Sequence, residues 1–198
     1  MSKTIRVPRL TNNDLDSLPR HALDQHPWPG FPPRPATHFS IAHTDTAILL
    51  KFYVDEDNPR ITYHQPNDPV YKDSCVEFFI SFDKGSSYYN MEWNAVGVCL
   101  MAYGSSRNNR SFFPAELIQS ITTNAASSTA PGWPLTLYIP LKVFTHDTLG
   151  YLSGISATAN FYKCGDDCPE PHYLAWNNIQ TPAPDYHQPR YFGELLFL

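Results

Sequence analysis

The sequence predicts an all-β protein: a two-sheet antiparallel β-sandwich, of jelly-roll or immunoglobulin type, with long proline-rich loops. Three observations carry this reading. Proline takes 19 of 198 positions, against an average near ~5%, and each interior proline removes an amide donor and crowds the preceding helical turn. Aromatic residues make up 14% of the chain and charged residues only 17%, too apolar a balance for disorder. Several short runs alternate apolar and polar residues with period two, the mark of a half-buried strand. Coiled coil, helical bundle, disordered tail and solenoid are thereby excluded, since no internal repeat is present. A chain of this length can bury a substantial core and is expected to form a single domain over 1–198.

The elements follow in order. Residues 19–35 hold six prolines with Trp28 and Phe31 among them; with residues 1–18 they are expected to form an extended wrap whose aromatics plug into the body. Two strands are expected at 37–43 and 47–54, parted by the turn signal Thr44-Asp45-Thr46. Residues 58–69 read as a polar loop with three prolines and Tyr63. The clearest strands come next. In 76–82, Val76, Phe78, Ile80 and Phe82 alternate with Glu77, Phe79 and Ser81. In 89–95, Asn90, Glu92 and Asn94 share one face and Tyr89, Met91, Trp93 and Ala95 the other. In 155–162, Ile155, Ala157, Ala159 and Phe161 oppose Ser156, Thr158, Asn160 and Tyr162. Further strands are expected at 97–103, 117–123, 134–139 and 192–198, and short helical turns at 114–119 and 141–144. About ten strands punctuated by Gly, Pro and Asn suit two packed antiparallel sheets.

Charge removes other classes. The net charge is −5, and no basic cluster exists of the kind that phosphate backbones require, so nucleic acid is not an expected partner. No stretch approaches the ~18–20 apolar residues of a membrane helix, and a membrane is not an expected partner either. The first ten residues lack the apolar core of a secretory signal; the chain is intracellular, or its signal has been removed, and the compartment stays open. It is expected to act as a monomer. Four cysteines are too few for a disulfide scaffold and read first as free buried thiols.

The polar face of the central strands is the place to look for chemistry. If the strands carrying Glu77 and Asn90/Glu92/Asn94 are neighbours, carboxylates and amides share one solvated surface, with Tyr71 and Trp176 in flanking loops. Sugar recognition requires this mixture. The C–H face of a pyranose stacks on an aromatic ring, and its hydroxyls need planar partners that donate and accept. The alternative is that these polar residues simply face water.

The run Val70-Tyr71-Lys72-Asp73-Ser74-Cys75-Val76-Glu77-Phe78-Phe79-Ile80 resembles the signature strand of carbohydrate-binding module family 9. Asn160-Phe161-Tyr162-Lys163-Cys164-Gly165-Asp166 with His172-Tyr173-Leu174-Ala175-Trp176 resembles that family's C-terminal half. So does Tyr186-His187-Gln188-Pro189-Arg190-Tyr191-Phe192-Gly193-Glu194-Leu195. The likeness runs from about residue 36 to the C-terminus and is nearest to stand-alone members of the family. It implies a β-sandwich that binds a mono- or oligosaccharide, or a polysaccharide end, without transforming it. By position, Tyr71 matches the first clamping aromatic, Trp176 the second, and Glu77 a sugar-binding carboxylate. Two departures stand out: Tyr71 replaces a tryptophan, and Glu92 stands before Asn94 where the family tends to carry an arginine. Arg107 or Arg110 is the candidate to restore a guanidinium. The resemblance also implies structural calcium, for which the acidic run holding Asp55 and Asp57 supplies hard oxygens.

Other readings remain open. Glu77 and Glu92 could serve as the paired carboxyl groups of a glycoside hydrolase, although nothing in the sequence argues for a raised pKa. A third reading is an interaction or structural sandwich whose sugar site has decayed. Cys164, Cys168 and His172 offer a partial zinc set at unusual spacing, a labile Cys164–Cys168 bridge, or simply a loop. Tyr186, His187 and Arg190 either touch ligand at the rim or pin the last strand.

Overall fold

The computed structural model describes residues 2–11, 14–125 and 132–198. In chain order the strands are β1 (Thr4–Val7), β2 (His21–Ala22), β3 (Thr37–Thr44), β4 (Ala47–Val54), β5 (Cys75–Ser81), β6 (Tyr88–Asn94), β7 (Cys99–Ser106) and β8 (Asn109–Phe112). After the one-turn helix α1 (Ala115–Ile118) come β9 (Thr122–Ala125), β10 (Trp133–Pro140), β11 (Ser156–Cys164), β12 (Tyr173–Ala175) and β13 (Gly193–Phe197). They form two sheets, as expected. One has eight strands in the order β1-β13-β11-β5-β6-β7-β8, with β12 added beside β11; the other runs β2-β3-β4-β10-β9.

The pairings follow the hydrophobic pattern. In β5, Val76, Phe78 and Ile80 face inward, and their neighbours Tyr89, Met91 and Trp93 on β6 do the same. From the other sheet, Phe39, Ile41, Leu50, Phe52, Leu135 and Leu137 meet them. The Phe39 ring stacks on Phe161 at 3.8 Å and joins the layers through β3 and β11. At ~25 cal/mol per Å² of apolar surface removed from water, this interleaving is the main source of stability.

Several elements depart from expectation. The strands β1, β2, β8 and β12 were not expected: β1 alternates over only four residues, and the others show no alternating run. The pair β1–β13 is parallel, with Thr4 beside Glu194 and Val7 beside Phe197. The segment read as a strand at 117–123 is divided between α1 and β9, because Pro114 caps a helical turn that lasts to Ile118.

The larger departure concerns the polar face. It is not solvated: every residue of β5 and β6 is buried. A second apolar cluster covers this side of the eight-stranded sheet. Phe79, Tyr88, Tyr162 and Cys164 on the strands are packed by Trp28, Val70, Ile179, Tyr186 and Phe192 from the loops. The wrap residues serve as expected here, with Trp28 Nε1 donating to Thr181 O at 3.1 Å and Phe31 against Tyr173. Tyr186 stacks on Tyr162 at 4.0 Å and donates to Lys163 O and Leu174 O. Proline-rich chain suits this covering role, because its stiff backbone loses little entropy on ordering.

Candidate functional site

Beneath the loops over the β5–β6 pair lies a cavity of about 290 Å³, near the lower end of the ~300–1,000 Å³ range of small-molecule sites. Its floor is the β5–β6 pair, where Glu77 lies directly opposite Glu92 and both side chains line the space. Tyr71 enters from the 3₁₀ turn Val70–Lys72. That turn is tied to the loop after β11, since Asp166 N donates to Tyr71 O and Asp167 N to Lys72 O, both at 3.1 Å. Arg107 and Arg110 arrive from the β7–β8 hairpin, and Asp166, Tyr173, Asp185 and His187 close the remaining sides.

Strand parity decides which aromatic faces the cavity. Tyr173 pairs with Cys164 and Ala175 with Tyr162, so these residues share the loop-covered face. Leu174 and Trp176 have the opposite parity and enter the main core. Trp176 therefore does not line the cavity. It is 2% exposed, its ring packs edge-on against Phe39 and Phe161, and its backbone N–H donates to Phe161 O. The second ring at the cavity is Tyr173, held by edge contacts with Trp28 and Phe31. Asn94 is likewise displaced from the site. Buried at the end of β6, it donates to Tyr63 O at 2.9 Å and Asp73 Oδ2 at 3.1 Å, and accepts from Val98 N. It joins the 60–73 loop to the sheet.

The expected set is thus brought together in part: Tyr71, Glu77, Glu92 and Arg107 line one cavity, and Asn94 and Trp176 do not. Arg110 supplies a further guanidinium, with Nη1 3.5 Å from Glu92 Oε1 and 3.3 Å from His187 Nε2. Tyr186 and His187 reach the lining; Arg190 instead lies over Tyr191. Tyr173, Asp166 and Asp185 carry no sequence signal for this lining, because only the β11–β12 register and the packing of the 165–188 loops place them there.

Enclosure changes the acidity of these groups. Burial, then the neighbouring Glu92 charge, pushes Glu77 well above the usual carboxylate range. Burial raises Glu92 to about 7, opposed by Arg110. The expectation of solvated acids with ordinary acidity is overturned, for the loops exclude the water that would stabilise their charge. Burial also raises Asp166. It lowers His187 to about 3, with Arg110 and Arg107 adding repulsion, so the imidazole is neutral.

The metal expectations fare differently. Asp55 and Asp57 both face solvent, while Glu56 between them turns inward to Ser74, Trp133 and Lys163. The run does not converge, so it does not fit the calcium that the resemblance implies. Among the described residues, the donor atoms that do converge are those of Cys75, Glu77 and Cys164, within 4.8 Å of one another, a softer set suited to thiophilic metals. Cys164, Cys168 and His172 do not form a zinc set. Cys164 Sγ donates to Glu77 Oε1, Cys168 Sγ meets Ser74 Oγ, and His172 Nε2 accepts from Lys163 Nζ. All four thiols are free and buried.

The chain is thus a two-sheet β-sandwich with a cavity on one face, walled by three tyrosines and floored by paired carboxyl groups. The family model described as carbohydrate-binding family 9 matches residues 7–197, and the chain belongs to that family. No curated protein matches the sequence. Among solved structures it is similar to a candidate carbohydrate-binding protein from Bacteroides uniformis, with 31% identity, TM-score 0.92 and full coverage of both chains. It shares its fold with a family 9 carbohydrate-binding module from Caldicellulosiruptor kristjanssonii. In complex with glucose that module aligns at 15% identity and TM-score 0.63, covering 99% of this chain and 96% of the other. In complex with cellotriose it aligns at 14% identity and TM-score 0.63, covering 98% and 93%.

Proposed function

We propose that the protein binds a mono- or oligosaccharide without transforming it, seating one sugar ring in the cavity beside Tyr71 and Tyr173. The observation that carries this reading is the convergence of three tyrosines, two buried carboxyl groups and two guanidiniums on one space of about 290 Å³. The rings offer apolar faces to the C–H side of a pyranose. Glu77, Glu92, Arg107, Arg110 and Asn108 offer planar donors and acceptors to its hydroxyls. The glucose and cellotriose complexes of the Caldicellulosiruptor module support the same ligand class.

The placement of the acids favours binding over hydrolysis. A glycosidase sets its two carboxyl groups on opposite flanks of the scissile bond, one protonated and one ionised. Here Glu77 and Glu92 rise side by side from adjacent strands beneath the ligand space, and burial pushes both upward. Calorimetry with glucose, cellobiose and cellotriose tests the reading, with chromatography of the incubated oligosaccharides for products. The expected result is binding without turnover, weakened about tenfold in Tyr71→Ala, since ring stacking is worth ~0.5–1.5 kcal/mol. Undiminished affinity in that variant, or release of shorter sugars, would overturn it.

A further inference from the structure

The cavity floor carries an electrostatic imbalance that a neutral ligand leaves unresolved. Four carboxyl groups line the space, Glu77, Glu92, Asp166 and Asp185, against the guanidiniums of Arg107 and Arg110. The basic groups are unevenly placed. Arg107 is exposed on the hairpin at the mouth, and Arg110 approaches only Oε1 of Glu92. That same oxygen also accepts from Asn90 Nδ2 at 3.0 Å. Glu92 Oε2 is buried with no hydrogen-bond partner, on a residue 2% exposed. Across the strand pair, Glu77 Oε1 receives only the weak thiol donor of Cys164, at 3.1 Å. A buried, unpartnered carboxylate oxygen costs free energy until a donor reaches it, and an isolated buried charge costs more.

On the reading of this cavity as a sugar site, we infer that it selects an amino sugar, a hexose with a free ammonium group seated between Glu77 and Glu92. An ammonium brings three donors and one positive charge. It offers donors to both floor carboxyl groups and supplies a cation beside a pair of acids whose ionisation burial opposes. Charge-assisted bonds of this kind are about twice as strong as neutral ones, and between buried groups they are screened by salt less than at the surface. Without that cation, burial pushes both carboxyl groups above the usual carboxylate range, and the ammonium stands where a proton otherwise would. An N-acetylated sugar loses the charge and adds bulk in a small space.

Calorimetry at about pH 7, where a primary amine of this type remains largely charged, compares glucosamine, glucose, N-acetylglucosamine and butylamine. Glucosamine is expected to bind at least about tenfold more tightly than the other three. In Glu92→Gln and Glu77→Gln the ratio of glucosamine to glucose affinity is expected to fall toward one. Each change keeps the side chain's shape, and thermal melting confirms that both variants fold. Glucose or N-acetylglucosamine binding as tightly as glucosamine overturns the inference and leaves the sugar reading standing. Butylamine matching glucosamine overturns it as well, because the ring is then not recognised. A preference that survives in both variants does the same. Binding of none of the three sugars overturns the inference, and the sugar reading itself falls only if cellobiose and cellotriose fail to bind as well.

Discussion

Glu77 and Glu92 face one another across two hydrogen-bonded strands, and their acidity couples folding to pH. Glu92 stands near 7 when folded against an ordinary 4.5, so between these values the folded state holds the extra proton. Stability from this group is therefore complete below about pH 4.5 and is lost as pH rises through 7, by roughly 3 kcal/mol at ~1.4 kcal/mol per pH unit. The Glu92→Gln variant removes this slope; urea unfolding from pH 5 to 8 should show it gaining on the parent as pH rises. His172 and His187 act in the other direction. Their folded values of about 4 and about 3 mean that stability falls as acid protonates the unfolded chain below 6.5. Trp176 and Tyr71 separate stability from binding in the same way. Trp176→Ala empties a site in the main core and should cost about 3–5 kcal/mol. Tyr71→Ala, half-buried at the cavity, should cost sugar affinity first, and paired denaturation and calorimetry distinguish the two.

At the scale of elements, β5, β6 and β11 were legible because each pairs an apolar face with period two, and β3 and β4 as strand-like runs parted by a turn signal. The sequence offered the closeness of Glu77 and Glu92 only on condition that their strands pair, and the structure places them in register. What alternation could not show is that the second face is also buried, since polar residues under a loop and polar residues in water have the same pattern. β12 was illegible for a different reason. It spans three residues, too few for a period, and its register on β11 alone sends Tyr173 to the cavity and Trp176 to the core. The start of β13 shows how tightly this region is packed. A Cβ on Gly193 would lie 2.5 Å from the Trp176 ring and 2.6 Å from Lys3 O. Gly193→Ala should thus destabilise by about 1–3 kcal/mol, a fall of several degrees in melting temperature; an unchanged melting curve would mean that β1 and β13 are less closely joined.

For the whole molecule, loops and sheet share one fate, because Trp28 and Tyr186 at the cover pack against Tyr162 and its neighbours on the eight-stranded sheet. Ligand that binds only the folded state should then stabilise the entire body. At about a hundredfold excess over Kd the gain is ~2.7 kcal/mol, or about 5–10 °C in melting temperature for a chain of this size. Differential scanning calorimetry with the best-binding sugar measures it, and Tyr71→Ala should blunt the shift. By itself the sequence determined the fold class, the central strands and the pair of acids, because proline content, aromatic content and period-two alternation are local properties of the chain. Only the tertiary structure decided that the acids are buried and pushed above the usual carboxylate range, that Tyr173 and not Trp176 lines the cavity, and that Arg110 approaches Glu92. Those outcomes depend on which distant loops close over one face of a sheet, and no local pattern encodes that closure.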